Sequence, residues 1–476
     1  MRIGVQGVIG VQGVVGAGRW GLIGALVATL LAVSVPRASA DDGPTRTEVT
    51  FAGADGTVLH GELIARPGAV RRPALVMVGG AGPVTVAELR PAAEAYARQG
   101  IPTLVYDKRT AGYSTTHRDY GQLADDALAA VRLLRSRPEA DPSRVGLWGL
   151  SEGAWVVSLA AGRSGDVAFV VTAGAVGLTP ARQQAWAYGG YLRHAGVSGS
   201  LLPAMQVSAI RQLAAAGLFP EAGYDPVPAW QRVSQPVLAE WGALDREAAP
   251  AESERIIRQA LDRGGNAHYT IRTVPGVRHN LQRTFADGYD RPIALPADYA
   301  EYEAAWIGRL AAAAPPITVD PAPRQDTASR PLAPLSWYEA PWLQAVSAAL
   351  CLVGFAGYLL TGALRRLRGR PRPAELPRTA RWAALAGTAA TIGATGYLFF
   401  LAVTAGGLPG PVLLGRPVVW LAVQLFAAVA VLATCATAIT TARRSLVAAA
   451  RVRLAVLLLA GAVFAPWALY WGLLQP

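Results

Sequence analysis

The last third of the chain carries four long apolar runs, at about residues 342–364, 382–405, 418–440 and 454–474. Each is long enough to span a bilayer. Four consecutive helices that are apolar all round do not fit the interior of an ordinary soluble domain, so residues 342–476 read as four transmembrane helices. Trp342, Trp382, Trp420, Trp467 and Trp471 sit near the ends of the runs, as interfacial anchors do. The runs carry no acidic or basic residue within their apolar stretches, which argues for anchoring and against an ion pathway.

This region also explains the charge. A net +12 could suggest a nucleic-acid partner. From Trp342 onward, however, twelve arginines face one acid, Glu375, so this stretch carries +11 and the remainder only about +1. The basic residues flank membrane spans and do not form a soluble basic face. Seven of them, Arg365, Arg366, Arg368, Arg370, Arg372, Arg378 and Arg381, come after the first run, and Arg443, Arg444, Arg451 and Arg453 after the third. The loop between runs two and three has only Arg416. The positive-inside rule puts the arginine-rich loops in the cytoplasm and everything before the first run outside.

The N-terminus agrees. After a Gly/Val/Gln tract, Arg19, an apolar run from Trp20 to Val35 and Ala38-Ser39-Ala40 make residues 1–40 a signal peptide or an N-terminal anchor. Either one exports the chain from Asp41 onward. The expected location is a cell membrane, multi-pass, with the folded domain on the extracytoplasmic side.

Residues 41–310 read as α/β. Short apolar runs such as 73–78, 102–106, 144–148, 167–172, 236–241 and 269–274 alternate with helical stretches, which implies a mostly parallel sheet with right-handed crossovers. Residues 177–228 break the rhythm, being helical and rich in Ala, Gln and Arg, and are expected to form a cap over the sheet. Seven prolines between residues 311 and 341 predict a stiff, extended linker. Such a linker is a poor packing surface, so a chain ending near Pro315 is expected to fold alone.

One motif carries chemistry. Gly149-Leu150-Ser151-Glu152-Gly153 comes after an apolar strand and opens a helix, the context of a nucleophile elbow. A serine nucleophile needs a base oriented by a third group. Of the five histidines only His279 lies beyond the last strand, where the chain order Ser…Asp…His requires the base. Asp245, in the loop after strand 236–241, is the expected acid; Glu240 lies within that strand and Glu247 two residues late. A developing oxyanion needs preorganised N–H donors. The amide of Glu152 is one candidate. The second is expected from Gly79-Gly80-Ala81-Gly82-Pro83, with Ala81 the better placed and Gly80 the alternative. The same loop could suggest a phosphate cradle, but it holds no G-K-[ST] and no G-x-G-x-x-G. The two cysteines, Cys351 and Cys435, both lie in apolar runs, so no cysteine metal site or disulfide framework is expected in the α/β region. No metal or cofactor is called for.

With these residues in place, the chain resembles the bacterial α/β-hydrolase esterases of the dienelactone-hydrolase and serine-aminopeptidase-like group. The matching pieces are Val78–Pro83, Tyr106-Asp107-Lys108-Arg109 with Gly112-Tyr113-Ser114, Gly146–Gly153, Trp241-Gly242 with Asp245, and Gly276 with His279. They run in order over roughly residues 48–310. The family usually has His where this chain has Gly79. The resemblance implies an α/β-hydrolase fold, a mostly parallel sheet with a helical cap, here joined to a four-helix transmembrane region. It also implies carboxylester hydrolysis on a small ester or acyl substrate. A peptidase or an acyltransferase would use the same triad. A non-catalytic membrane sensor or scaffold is disfavoured by the intact Ser, Asp and His. The partners expected are that substrate and the lipid bilayer, not nucleic acid. Lys108 is the only lysine, and the sequence assigns it no role.

Overall fold

The protein is described by a computed structural model covering residues 43–114, 116–292, 294–369, 376–442 and 447–476. The signal or anchor expected over residues 1–40 lies outside these residues, as do Arg370, Arg372, Glu375, Arg443 and Arg444.

Nine strands form one sheet: β1 (Thr45–Ala52), β2 (Val58–Ala65), β3 (Arg72–Val78), β4 (Thr103–Tyr106), β5 (Ala140–Leu150), β6 (Val170–Ala173), β7 (Val237–Gly242), β8 (Tyr269–Val274) and β9 (Thr318–Val319). Their order is β1-β2-β4-β3-β5-β6-β7-β8-β9. The β1–β2 and β2–β4 pairs are antiparallel and all pairs from β4 to β9 are parallel. The central strands are covered on both faces, so they read as unbroken apolar runs. Leu75, Val76, Met77, Val170 and Val171 are fully buried. Helices α1 (Val86–Arg98), α2 (Tyr120–Arg135) and α3 (Glu152–Ala161) make the crossovers. The Asp119 carboxylate caps α2 by accepting from the Gln122 amide at 3.0 Å. A parallel sheet whose central strand feeds a helix through a sharp serine turn is the α/β-hydrolase fold.

Between β6 and β7 the chain inserts α4 (Pro180–His194), then α5 (Leu201–Pro203), which runs on through a π-helical turn, Ala204–Ala209, into α6 (Ile210–Ala215), and then the short α7 (Val227–Trp230). Thr179 precedes α4 and Pro180 starts it, a favoured first position for a residue with no N–H to satisfy. After β7, α8 (Pro250–Arg263) leads to β8, and α9 (Glu301–Arg309) precedes β9.

Among the described residues four helices are long and apolar enough to cross a membrane: α10 (Pro341–Leu367), α11 (Arg378–Val403), α12 (Val418–Thr441) and α13 (Ala448–Tyr470). A two-strand hairpin, β10 (Val412–Leu413) and β11 (Arg416–Pro417), joins α11 to α12. Among the described arginines of this region, Arg365, Arg366, Arg368, Arg378, Arg381, Arg451 and Arg453 gather at the end of the bundle where α10 stops and α11 and α13 start.

Two expectations about the connection fail. The proline-rich segment is not a free linker. Thr318 and Val319 pair in parallel with Thr270 and Ile271, so β8 does not close the sheet. Further on, the Thr327 carbonyl accepts from Trp186 Nε1 at 2.7 Å, Ser329 Oγ accepts from Arg182 Nε at 2.8 Å, and Arg211 forks onto Glu339 at 2.8 and 2.7 Å. Extended proline-rich backbone makes no internal hydrogen bonds, so its carbonyls are open to neighbouring donors. Nor does the α/β region stand apart from the helices: residues 43–476 form one contact unit. Leu192, Val197, Leu201, Met205 and Ile210 of the insertion share one apolar core with Leu401, Trp420, Trp467 and Leu473. Polar contacts frame it. Tyr188 OH donates to the Ala402 carbonyl at 2.7 Å, the Ser198 amide to the Gly415 carbonyl at 2.7 Å, and Gln212 Nε2 to Tyr470 OH at 2.8 Å. All of these bundle partners lie at the end opposite the arginine cluster.

Candidate active site

The β5–α3 junction bends hard. Ser151 has φ 53° and ψ −111°, a conformation that costs a non-glycine residue on the order of 1–3 kcal/mol. Its amide donates to the Ala173 carbonyl at 3.1 Å and its carbonyl accepts from the Ala154 amide at 2.9 Å, which lock the turn. Gly153 lets α3 start this close to the sheet: a Cβ there would lie 2.3 Å from the Val78 carbonyl oxygen. Ser151 is half-buried, at the carboxyl ends of β5 and β6.

His279 is the one buried histidine of the five; His60, His117, His194 and His268 are exposed. Its Nδ1 lies 2.8 Å from Asp245 Oδ2. Asp245 Oδ1 accepts from the amides of Glu247 and Ala248 at 2.8 and 2.9 Å, so both carboxylate oxygens are engaged and the side chain is fixed. Gly174 comes directly after Ala173, the partner of the Ser151 amide. It has φ +57°, and a Cβ there would come within 2.6 Å of His279 Nδ1. The end of β6 thus abuts both the elbow and the imidazole. Among the described residues Ser151 Oγ makes no hydrogen bond; in unliganded enzymes such contacts are often long and tighten only with substrate.

The alternative acids are engaged elsewhere. Glu240 is fully buried and bonds Arg272 at 2.7 Å. Glu247 pairs with Arg291 at 2.7 Å. No group of three or more His, Cys, Asp or Glu among the described residues is placed to hold a metal ion.

The oxyanion candidates lie around the elbow. The amide of Glu152 is at the first position of α3, where an N–H has no partner within its own helix. A Cβ on Gly80 would lie 3.7 Å from Ser151 Cβ, so the β3–α1 loop passes directly over the serine. Among the described residues the amide of Ala81 donates to no protein acceptor.

Sequence reasoning missed the group behind the elbow. The Glu152 side chain is buried and accepts from Lys108 Nζ at 2.9 Å, Tyr113 OH at 2.7 Å and Arg118 Nη1 at 2.8 Å. Lys108 Nζ also donates to the Gly80 carbonyl. The family-like run Tyr106–Ser114 was the only available signal, and it does not say what these side chains touch.

Burial would lower the His279 pKa, but the charges of Asp245 and Glu247 and the bond to Asp245 outweigh it and raise it to about 9. Asp245, despite a burial that would raise it, is held below its usual value by the His279 charge and bond and by the two amides. The pair therefore stabilises the fold fully below pH ~6.5, the ordinary histidine value, and that contribution is lost as pH rises through about 9. On the acid side Asp245 contributes above the ordinary aspartate value of ~3.9, and its contribution fades as pH falls through its lowered one. A general base acts when neutral, so kcat/KM is expected to climb with pH and reach half its plateau near pH 9. In Asp245→Asn the plateau is expected to fall by about 10⁴-fold and the limb to shift to lower pH, because the charge holding the proton is gone. A wild-type limb and plateau in the variant would remove Asp245 from this role.

Residues 111–291 match the sequence profile of the prolyl oligopeptidase family. Among curated proteins, a thiohydrolase of Aspergillus aculeatus is 37% identical over 111 residues, 22% of this chain and 34% of that protein. A polyketide transferase of Stachybotrys chlorohalonatus is 36% identical over 121 residues, 25% of this chain and 40% of that one. The chain thus spans well under half the length of these curated relatives. Solved structures with a similar fold include a puromycin-hydrolyzing peptidase of Mycobacterium tuberculosis, 17% identical, covering 59% of this chain and 42% of that one with a TM-score of 0.41. A dienelactone hydrolase-like promiscuous phosphotriesterase from metagenomic libraries is 19% identical, covering 56% and 98% with a TM-score of 0.38. The family match and the thiohydrolase support a hydrolase.

Proposed function

We propose that the chain is a membrane-anchored serine hydrolase that works outside the cytoplasm and cleaves carboxylic esters through an acyl-enzyme. Ser151 attacks the acyl carbon. His279 takes the serine proton and returns it to the leaving group, with Asp245 fixing its tautomer. The amides of Glu152 and Ala81 receive the oxyanion. The observation that carries the reading is the buried His279–Asp245 bond lying against the same strand end, Ala173–Gly174, that holds the strained Ser151 turn. Transfer of the acyl group to an acceptor other than water is the second reading. It is favoured by the polyketide transferase among the relatives, whose name describes transfer of a group and not its hydrolysis.

The side of the membrane is read from charge. The α/β domain docks on the bundle end that carries Arg416, and the described arginine cluster lies at the other end. A membrane-impermeant fluorophosphonate added to intact cells is therefore expected to label the full-length protein as strongly as it does after lysis. Labelling that appears only after lysis would put the domain in the cytoplasm and reverse the topology.

A further inference from the structure

A buried lysine is costly unless it is well partnered. Here burial lowers the pKa of Lys108, and the negative charge of Glu152 opposes that shift. The Lys108 side chain is 5% exposed and that of Glu152 1%. Around them the loop after β4 grips the loop after β3 and the first residue of α1 at four points. Lys108 Nζ donates to the Gly80 carbonyl, the Gly82 amide to Tyr113 OH at 2.9 Å, the Lys108 amide to the Val84 carbonyl at 3.0 Å, and the Val86 amide to Asp107 Oδ1 at 2.7 Å.

One of these contacts bears on the chemistry. A trans peptide is planar, and its C=O and N–H point in opposite directions. Lys108 holds the Gly80 oxygen on its own side, so the Ala81 N–H of the same peptide is turned to the other side. The acceptor that shares the lysine, Glu152, carries the second candidate donor on its own backbone. The ammonium thus joins the two strips of backbone whose amides would meet the oxyanion. Such donors act by being aimed before charge develops, and a peptide free to rotate would lose that benefit.

We propose that Lys108 is the positioning residue of the oxyanion hole, setting the Gly80–Ala81 peptide through its pair with Glu152. The proposal rests on the acyl-enzyme reading above. It is tested with Lys108→Met in the full-length protein, with kcat referred to the number of serines titrated by a fluorophosphonate. The expected result is a fall in kcat per titrated site of about 100-fold, the scale of losing one oxyanion donor, with KM within threefold of wild type. Affinity for a trifluoromethyl ketone, which mimics the tetrahedral oxyanion, is expected to drop by the same factor as kcat/KM. A kcat per titrated site within threefold of wild type overturns the proposal. So does a loss confined to the fraction of titratable sites, which marks a merely structural lysine. If Lys108→Met does not fold, Lys108→Arg decides: its larger planar fork keeps the charge but displaces the donor. A loss of at least tenfold in kcat per site supports the proposal, and wild-type turnover refutes it. Full labelling surviving in Ser151→Ala would instead bring down the nucleophile reading beneath it, whatever the Lys108 variants do.

Discussion

Ser151→Ala is expected to leave the fold intact, abolish fluorophosphonate labelling and reduce ester turnover by about 10⁶-fold, because triad members act as a unit. The fold is expected to survive because the turn is held by backbone contacts, the Ser151 amide to Ala173 and the Ser151 carbonyl to Ala154, and alanine keeps both. The side chain lost makes no hydrogen bond among the described residues. Residual activity is expected to come from binding and the oxyanion amides alone. Labelling, turnover and the circular dichroism melt, measured on one preparation, separate loss of chemistry from loss of structure. A mutant that still labels stoichiometrically at another serine would displace Ser151 as the nucleophile.

A chain cut near Pro315 is expected to give no soluble, native hydrolase, the reverse of what the proline-rich sequence suggests. The cut removes β9 from the sheet edge and the strap of residues 324–339 from α4 and α6. It also strips the bundle from an apolar face. Leu192, Val197, Leu201, Met205 and Ile210 are at most 2% exposed in the intact chain. Fully exposing a side chain of that size costs ~1.5–3 kcal/mol. Uncovering even two or three of them therefore removes about 5 kcal/mol, a large share of the ~5–15 kcal/mol that holds a domain folded. Aggregation, or a soluble species that binds a hydrophobic dye and lacks a cooperative melt, is the expected outcome. A monomeric truncated protein that melts cooperatively and turns over a short-chain ester within about tenfold of the full-length rate would show that the helices only anchor.

The parts legible in the sequence are those with a local signature. The Gly-x-Ser-x-Gly turn declares itself by strand before and helix after, and His279 by lying past the last long strand. Asp245 is the expected acid because it stands one loop beyond the strand end; in the structure it bonds His279, and Glu240 lies inside β7 and pairs with Arg272. What stayed hidden is long-range. Lys108 meets Glu152 across 44 residues and Gly80 across 28, and no periodicity announces such a pair. The two-residue β9 is too short to stand out among prolines. The insertion's helices read as an ordinary amphipathic cap, because a face turned to a sheet and a face turned to another helix bundle look alike in one sequence.

The core shared between the insertion and helices α10–α13 also sets a schedule for biogenesis. Gln212 and its partner Tyr470 are separated by 258 residues. At ribosomal rates of roughly 5–20 residues per second, the insertion is made roughly 10–50 s before α13 exists to meet it. During that interval its apolar face has only water, or a holding chaperone, against it. Full assembly is thus tied to completion of the last helix, and a stalled or prematurely terminated chain would present to quality control an insertion whose apolar face is still uncovered.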